Sequence, residues 1–248
     1  MELHTFFAEH PKVALAFYGG VDSAYLLYAS RKYAADVTAY YVKTAFQPEF
    51  ELRDARRLAE ELGAKMRIIQ LEVLCDEEIT ANPANRCYHC KKRIFTAIAD
   101  AARRDGYDLI IDGTNASDDA ADRPGIRALE ELSVRSPLRE CGITKAEVRS
   151  LSREAGLFTW DKPAYACLAT RIPTGDTITA EKLQKTEWAE EYLEGLGFRD
   201  FRVRLADNSA KIQIRAEQIP LLIERRVEII EKLKKEYDSV LLDLEVRK

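Results

Sequence analysis

The chain has 248 residues, 46% hydrophobic and 32% charged, with a formal net charge of −4. That length suits one large domain, or a larger and a smaller one, and the composition is that of a soluble globular protein. No apolar run approaches a membrane span, Met1 to Pro11 lacks a signal-peptide pattern, and the acidic balance argues against a general nucleic-acid binder. Five cysteines, an odd number without an export signal, point away from a disulfide framework and towards metal or catalytic use, with the cytoplasm as the default compartment.

The apolar run Val13 to Phe17 predicts a buried strand, and Ala24 to Ala29 the body of a helix. Between them lies Tyr18-Gly19-Gly20-Val21-Asp22-Ser23. A strand, a Gly-Gly turn and a helix start make an anion site: the glycines let backbone approach a ligand, and free N–H groups with the helix dipole face its phosphates. No lysine is present, so the usual P-loop, G-x-x-x-x-G-K-[ST], is excluded. An ordinary Gly-Gly turn is the alternative. Gly-Gly-Val-Asp-Ser in this setting resembles the pyrophosphate loop of ATP pyrophosphatases, S-G-G-x-D-S, which cleave ATP between its α and β phosphates and adenylate an acceptor oxygen. Tyr18 departs from that pattern. Its ring cannot sit among the loop's N–H groups without displacing a phosphate, so weakened ATP binding is expected.

Val37 to Val42 predicts a second strand, Glu51 to Leu62 a charged helix with Gly63 at its C-cap, and Met66 to Leu71 a third strand. Asn82 to Tyr88 reads as a turn and Lys91 to Arg104 as an amphipathic helix. Asp108 to Asp112 reads as a fourth strand running into Gly113-Thr114-Asn115. Strands alternating with helices predict a doubly wound, mainly parallel α/β sheet, with ligands at the carboxyl ends of the strands. The first loop, Lys43-Thr44 and Gly113-Thr114-Asn115 then share one pocket. Arg123-Pro124-Gly125 reads as a turn, Ser133 to Leu138 as an extended piece, and Thr144 with Glu147 as a capping box. Lys162 to Thr177 is an irregular loop at a domain junction. Beyond it a helix (Ala180 to Leu196), two strands (Phe201 to Leu205, Lys211 to Arg215), a helix (Ile219 to Tyr237) and a strand (Ser239 to Leu244) predict a small α+β module. The expected domains are 1–165 and 166–248.

Cys87-Tyr88-His89-Cys90, placed just before a helix, suits a redox pair, half a zinc site, or part of an iron–sulfur ligand set. Cys167 sits in the irregular loop, where Arg171 could lower its thiol pKa or hold an anionic substrate. Cys75 and Cys141 read as inert thiols. Arg202 and Arg204 alternate along one strand and share a face, which suits phosphate or carboxylate, although a solvated face explains them equally. Asp112, Asp118, Asp119 and Asp122 could take Mg²⁺, or simply form a polar loop.

Together, Gly19 to Ser23, Asn85 to Lys91, Asp112 to Asp118, Arg123-Pro124-Gly125, Ser136-Pro137-Leu138, Lys162-Pro163-Ala164, Ala166 to Arg171 and Phe201 to Arg204 resemble the LarE family, the sulfur insertases of nickel-pincer cofactor biosynthesis. The match spans nearly the whole chain. The resemblance implies an N-terminal ATP-pyrophosphatase domain, a smaller C-terminal domain for substrate binding and oligomerisation, and often a homo-oligomer. It implies conversion of the carboxylates of pyridinium-3,5-biscarboxylic acid mononucleotide into thiocarboxylates, with ATP and Mg²⁺. Ala16, Tyr18, Gly19, Gly20, Val21, Asp22, Ser23 and Gly113 would then bind nucleotide. Asp22, Cys167 and Arg171 would be catalytic, and Arg171, Arg202 and Arg204 would hold substrate. In one branch of the family the position matching Cys167 gives up its own sulfur; in another, three cysteines hold a [4Fe-4S] cluster that carries an extra sulfide. Cys87, Cys90 and Cys167 resemble the second. Other ATP-pyrophosphatase-type enzymes, such as tRNA thiolases, and a zinc-stabilised nucleotide-binding protein are the competing readings.

Overall fold

The computed structural model describes residues 2–33, 36–118 and 124–247. They form two compact units, Met1–Val73 with Asn85–Lys162, and Leu74–Ala84 with Pro163–Lys248.

The first unit opens with α1 (Leu3–Glu9), a short helix that no sequence signal marked, then β1 (Lys12–Ala16), α2 (Val21–Tyr33), β2 (Asp36–Lys43), α3 (Glu49–Glu61) and β3 (Lys65–Gln70). The chain passes through α4 (Glu77–Thr80), which belongs to the second unit, before α5 (Arg86–Arg104), β4 (Ile110–Ile111), α6 (Pro124–Glu131), α7 (Pro137–Glu140) and α8 (Lys145–Glu154). Among the described residues the sheet is four-stranded, in the order β3-β2-β1-β4, with every pairing parallel. β1 and β2 are buried almost end to end, as strands covered on both faces must be. One face packs Leu15, Leu26, Tyr41, Leu58 and Val148, the other Ala14, Ala16, Tyr40, Val42, Phe95 and Ile98. This is the expected doubly wound α/β sheet.

Three local expectations need correction. The helix expected from Lys91 begins at Arg86, so the C-x-x-C lies inside the helix, at its second and fifth residues, rather than before it. Pro124-Gly125 is a helix start rather than a turn, since the fixed φ of proline suits the first helical position; Arg123, Asp119 and Asp122 lie outside the described residues. Ser133 to Leu138 is extended only in its middle: Ser133 lies in a turn with φ +54°, Arg135 makes a parallel bridge to Ile111, and Pro137 then opens α7. The capping box at Thr144 and Glu147 is present, each side chain bonding the other's backbone.

The second unit holds α9 (Ala180–Gly195), β5 (Arg202–Ala206), β6 (Ser209–Gln213), α10 (Ile219–Glu224), α11 (Arg226–Leu233) and β7 (Val240–Leu242). Its sheet runs β5-β6-β7, with β5 and β6 antiparallel and β6 and β7 parallel. The single helix expected over Ile219 to Tyr237 is interrupted at Arg225, where ψ is 5°. α4 is tied in by backbone bonds from Ile178 to Thr80 and from Gly175 to Asn82, and by the Asn82 amide donating to the Pro173 carbonyl at 2.7 Å.

Candidate active site

β1 lies between β2 and β4, so the strand order reverses at its carboxyl end and the loops after β1 and β4 part there. Gly19 takes φ +70°, and a Cβ there would lie 3.3 Å from both the Ala55 Cβ and the Glu51 carbonyl oxygen. Only glycine combines that left-handed turn with so close an approach to α3. Ser23 Oγ donates to the Gly20 carbonyl at 3.2 Å and accepts from the Tyr18 N–H at 3.4 Å, lacing the turn from within. The first-turn N–H groups of α2 have no intrahelical partner and are available to an anion. Gly113, two residues past β4, lies against this turn: a Cβ on it would sit 2.8 Å from the Ser23 nitrogen. Gly19, Gly20, Val21, Asp22, Ser23 and Gly113 are therefore brought together past the carboxyl end of β1, while Ala16 is buried in the sheet's apolar layer.

Tyr18 is half-buried and packs with the apolar layer of Ala14, Ala16, Tyr40 and Ile94. Burial, and then the neighbouring charges of Asp112 and Cys90, push its phenol well above the usual range, so it stays protonated. The ring is accommodated as core.

Asp22, in the first turn of α2, accepts from the Asn115 amide at 3.2 Å and is ion-paired with the Lys145 ammonium. Asp112 is a structural carboxylate, accepting from Ser136 Oγ at 2.6 Å and Thr114 Oγ1 at 2.5 Å. Lys43, at the end of β2, pairs with Glu49 at 2.7 Å. Lys162 pairs with Asp54 at 2.6 Å and reaches the Gly19 carbonyl at 3.5 Å. Arg149 holds that turn in place, donating to the carbonyls of Trp160 at 2.7 Å and Lys162 at 2.9 Å. Lys145 and Arg149 lie four residues apart on α8, so a single helix face serves both Asp22 and Lys162. Asn115 falls within the pocket expected from the sequence, Lys162 was marked only as part of the Lys162-Pro163-Ala164 motif, and Lys145 and Arg149 were not picked out as site residues.

Cys87 and Cys90 stand three residues apart near the start of α5 and share a face. Cys87 is exposed, with Arg86 Nη2 donating to its sulfur at 3.8 Å, while the half-buried Cys90 packs on the layer that holds Tyr18. Within neither unit do the described residues gather three His, Cys, Asp or Glu side chains for a metal ion. Cys167 belongs to the second unit.

In that unit the Arg171 guanidinium is buried, and its Nε and Nη2 fork onto Glu190 at 2.8 and 3.0 Å. Its Nη1 donates to the Ala166 carbonyl at 2.9 Å, Thr170 Oγ1 at 2.8 Å and the Cys167 carbonyl at 3.4 Å. Arg171 thus fixes the backbone that presents Cys167, and its donors are largely committed to that task rather than open to a substrate carboxylate. Glu190 also accepts from the Val203 N–H at 2.9 Å and Tyr165 OH at 2.6 Å. Arg202 and Arg204 share a face of β5, as their alternation predicts. The buried Arg202 donates to the Phe201 carbonyl at 2.6 Å and to the Ala164 carbonyl, with its guanidinium 4.9 Å from the Tyr165 ring centre. Burial, and then the nearby Arg171 charge, lower its pKa to about 10. Arg204 is half-buried and donates to the Thr170 carbonyl at 3.3 Å. Among the described residues Arg202 hydrogen-bonds backbone carbonyls, and the Glu190 carboxylate bound to Arg171 offsets part of its charge.

A Synechocystis protein of uncharacterised function, slr1717, is 41% identical to this chain over 228 residues, covering 90% of the chain and 83% of the relative. The pyridinium-3,5-bisthiocarboxylic acid mononucleotide synthase of Lactiplantibacillus plantarum is 35% identical over 209 residues, covering 82% of the chain and 74% of the synthase. The chain belongs to the family of that synthase, the LarE family. More distantly, a Clostridium botulinum tRNA-specific 2-thiouridylase is 26% identical over 182 residues, covering 60% of the chain and 52% of the thiouridylase. No family model matches the LarE-family chain. No helix among its described residues is long and apolar enough to cross a membrane.

Proposed function

We propose that this LarE-family protein is an ATP-dependent sulfurtransferase that converts carboxylates of pyridinium-3,5-biscarboxylic acid mononucleotide into thiocarboxylates. The observation that carries the reading is the Gly19–Ser23 turn at the sheet's switch point, in a chain related to the synthase over most of its length. A carboxylate is a poor acyl donor because its oxygen leaves badly. Attack of that oxygen on the α-phosphorus of ATP forms an acyl-adenylate and releases pyrophosphate. The Gly20 to Ser23 N–H groups would stabilise the departing charge, with Asp22 the carboxylate placed to hold Mg²⁺. When bound, Mg²⁺ supplies Lewis-acid charge stabilisation there. Lys145 and Asn115 orient Asp22. A sulfur nucleophile then attacks the acyl carbon and AMP departs.

Arg202 and Arg204 would hold the anionic substrate, supported by their shared strand face and by the backbone carbonyls that fix both guanidinium groups. Arg171 acts one step back, positioning the Cys167 backbone. Cys87 and Cys90 on one helix face, with Cys167, would supply three thiolates to a [4Fe-4S] cluster, whose chemistry when bound is sulfide donation. Incubation with ATP, Mg²⁺, sulfide and the mononucleotide should exchange carboxylate oxygen for sulfur, read by mass spectrometry; an unaltered substrate overturns the proposal. Anaerobic reconstitution should give a brown protein that Cys87→Ser, Cys90→Ser or Cys167→Ser bleaches, while Cys75→Ser and Cys141→Ser do not. Dehydroalanine at position 167 after one turnover would instead establish sacrificial transfer from Cys167.

A further inference from the structure

Lys162 opens the Lys162-Pro163-Ala164 motif, to which the chemistry above gives no task. Its ammonium is largely shielded, with the side chain 15% exposed, and pairs with Asp54 on α3 at 2.6 Å. It also donates to the carbonyl oxygen of Gly19 at 3.5 Å and lies over the Phe50 ring, 5.4 Å from its centre. Two bonds from Arg149 to the Trp160 and Lys162 carbonyls fix the backbone from which the side chain reaches.

The carbonyl that the ammonium reaches belongs to the peptide joining Gly19 to Gly20. In a trans peptide the C=O and the following N–H point in opposite directions. The bond between Gly19 and Gly20 is trans, as all peptide bonds among the described residues are. A Gly19 carbonyl tethered towards α3 therefore aims the Gly20 N–H the other way, away from α3. With glycine on both sides, this peptide otherwise flips at little steric cost. A flipped peptide would present a carbonyl dipole to the phosphates in place of a donor. We propose that Lys162 is a positioning residue of the pyrophosphate loop, holding the Gly19–Gly20 peptide with its N–H towards the anion without itself touching the reacting atoms. Asp54 neutralises the buried ammonium.

This inference rests on the ATP-pyrophosphatase reading, and calorimetric titration of the full chain with Mg²⁺-pyrophosphate separates the two. The parent should bind. Lys162→Met, which keeps the stem and removes the charge, should weaken pyrophosphate binding by at least about tenfold, or about 1.4 kcal/mol. Lys162→Arg should stay within about threefold of the parent, because it restores a cationic donor. Asp54→Asn breaks the ion pair but leaves the ammonium over Gly19, so it too should stay within about threefold while lowering Tm as Lys162→Met does. Unaltered binding by Lys162→Met, or an equal loss in Asp54→Asn, would overturn the inference, the second because it makes the ion pair and not the tether responsible. A parent that binds no pyrophosphate would overturn the function itself, and this inference with it.

Discussion

Glu190→Ala should be the most destabilising single change in the second unit. The Arg171 side chain is 1% exposed and that of Glu190 8%, so the substitution strands a guanidinium where water cannot reach it. Removing one partner of a buried pair costs about 3–5 kcal/mol. The buried Val203 N–H loses its acceptor as well, at about 1–3 kcal/mol for a group left unsatisfied, and the half-buried Tyr165 hydroxyl loses its bond to the same carboxylate. Arg202, its pKa already lowered by burial and by the Arg171 charge, loses the Glu190 charge that offsets part of both. The sum, roughly 5 kcal/mol or more, is comparable to the whole stability of a small unit. The assay is denaturant unfolding in a Trp160→Phe background, where Trp188 alone reports on this unit. Glu190→Ala should lower the midpoint sharply and raise the alkylation rate of Cys167, because Arg171 no longer pins the loop. Arg171→Met combined with Glu190→Leu should recover most of the loss, since apolar replacement of a buried pair is often neutral. A cost below about 1 kcal/mol for Glu190→Ala would refute the reasoning.

Gly113→Ala places a Cβ 2.8 Å from the Ser23 nitrogen and 3.1 Å from the Asp22 carbonyl carbon, both backbone, so the turn must shift. Calorimetry should show weaker ATP binding and melting a loss of about 1–3 kcal/mol, the usual range for overpacking; an unaltered Kd would show that the turn tolerates the shift. Tyr18→Ser should cost about 1–3 kcal/mol, part of the 3–5 typical of a buried aromatic truncated in a core. Its ATP Kd should stay within about threefold, and a tenfold tightening would put the ring back in the way of the nucleotide. Asp105 accepts from the Tyr40 hydroxyl and the Arg67 guanidinium, in that order of influence, and both hold its carboxyl below the usual range. A folded pKa below the unfolded one adds stability that is present above about pH 4 and lost as the pH falls through the folded value. Asp105→Asn should flatten that acid limb in denaturant midpoints recorded between about pH 2 and 6, and an unchanged slope would remove Asp105 from it.

The parallel sheet was legible because strands buried on both faces read as near-continuous apolar runs, as Val13 to Phe17 does, and Val37 to Val42 with Thr38 its one polar residue. The turn at Gly19-Gly20 was legible because its chemistry is local. The early start of α5 had a signal that went unused: Cys87, Cys90, Ile94, Ile98 and Ala101 recur at helical spacing. The break at Arg225 had none, since good helix formers run through it and tertiary packing decides. The pairings themselves were out of reach for a different reason, although Asn115 fell within the pocket expected at the strand ends, near Asp22. Asn115 and Lys145 lie 93 and 123 positions from it in sequence, and Lys162 lies 143 from Gly19. No periodicity links such residues; only the closing of the sheet does. Glu190 misled in the same way, because it sits in a highly charged helix and nothing marks it as the buried partner that commits Arg171 to structure.

The nucleotide products formed with the pyridinium dicarboxylate mononucleotide present test the central claim most directly. Chromatography of ATP, ADP and AMP, with pyrophosphate measured in the same samples, should show one AMP and one pyrophosphate for each carboxylate activated, and neither product from an Asp22→Asn variant. ADP and inorganic phosphate in their place would contradict the account.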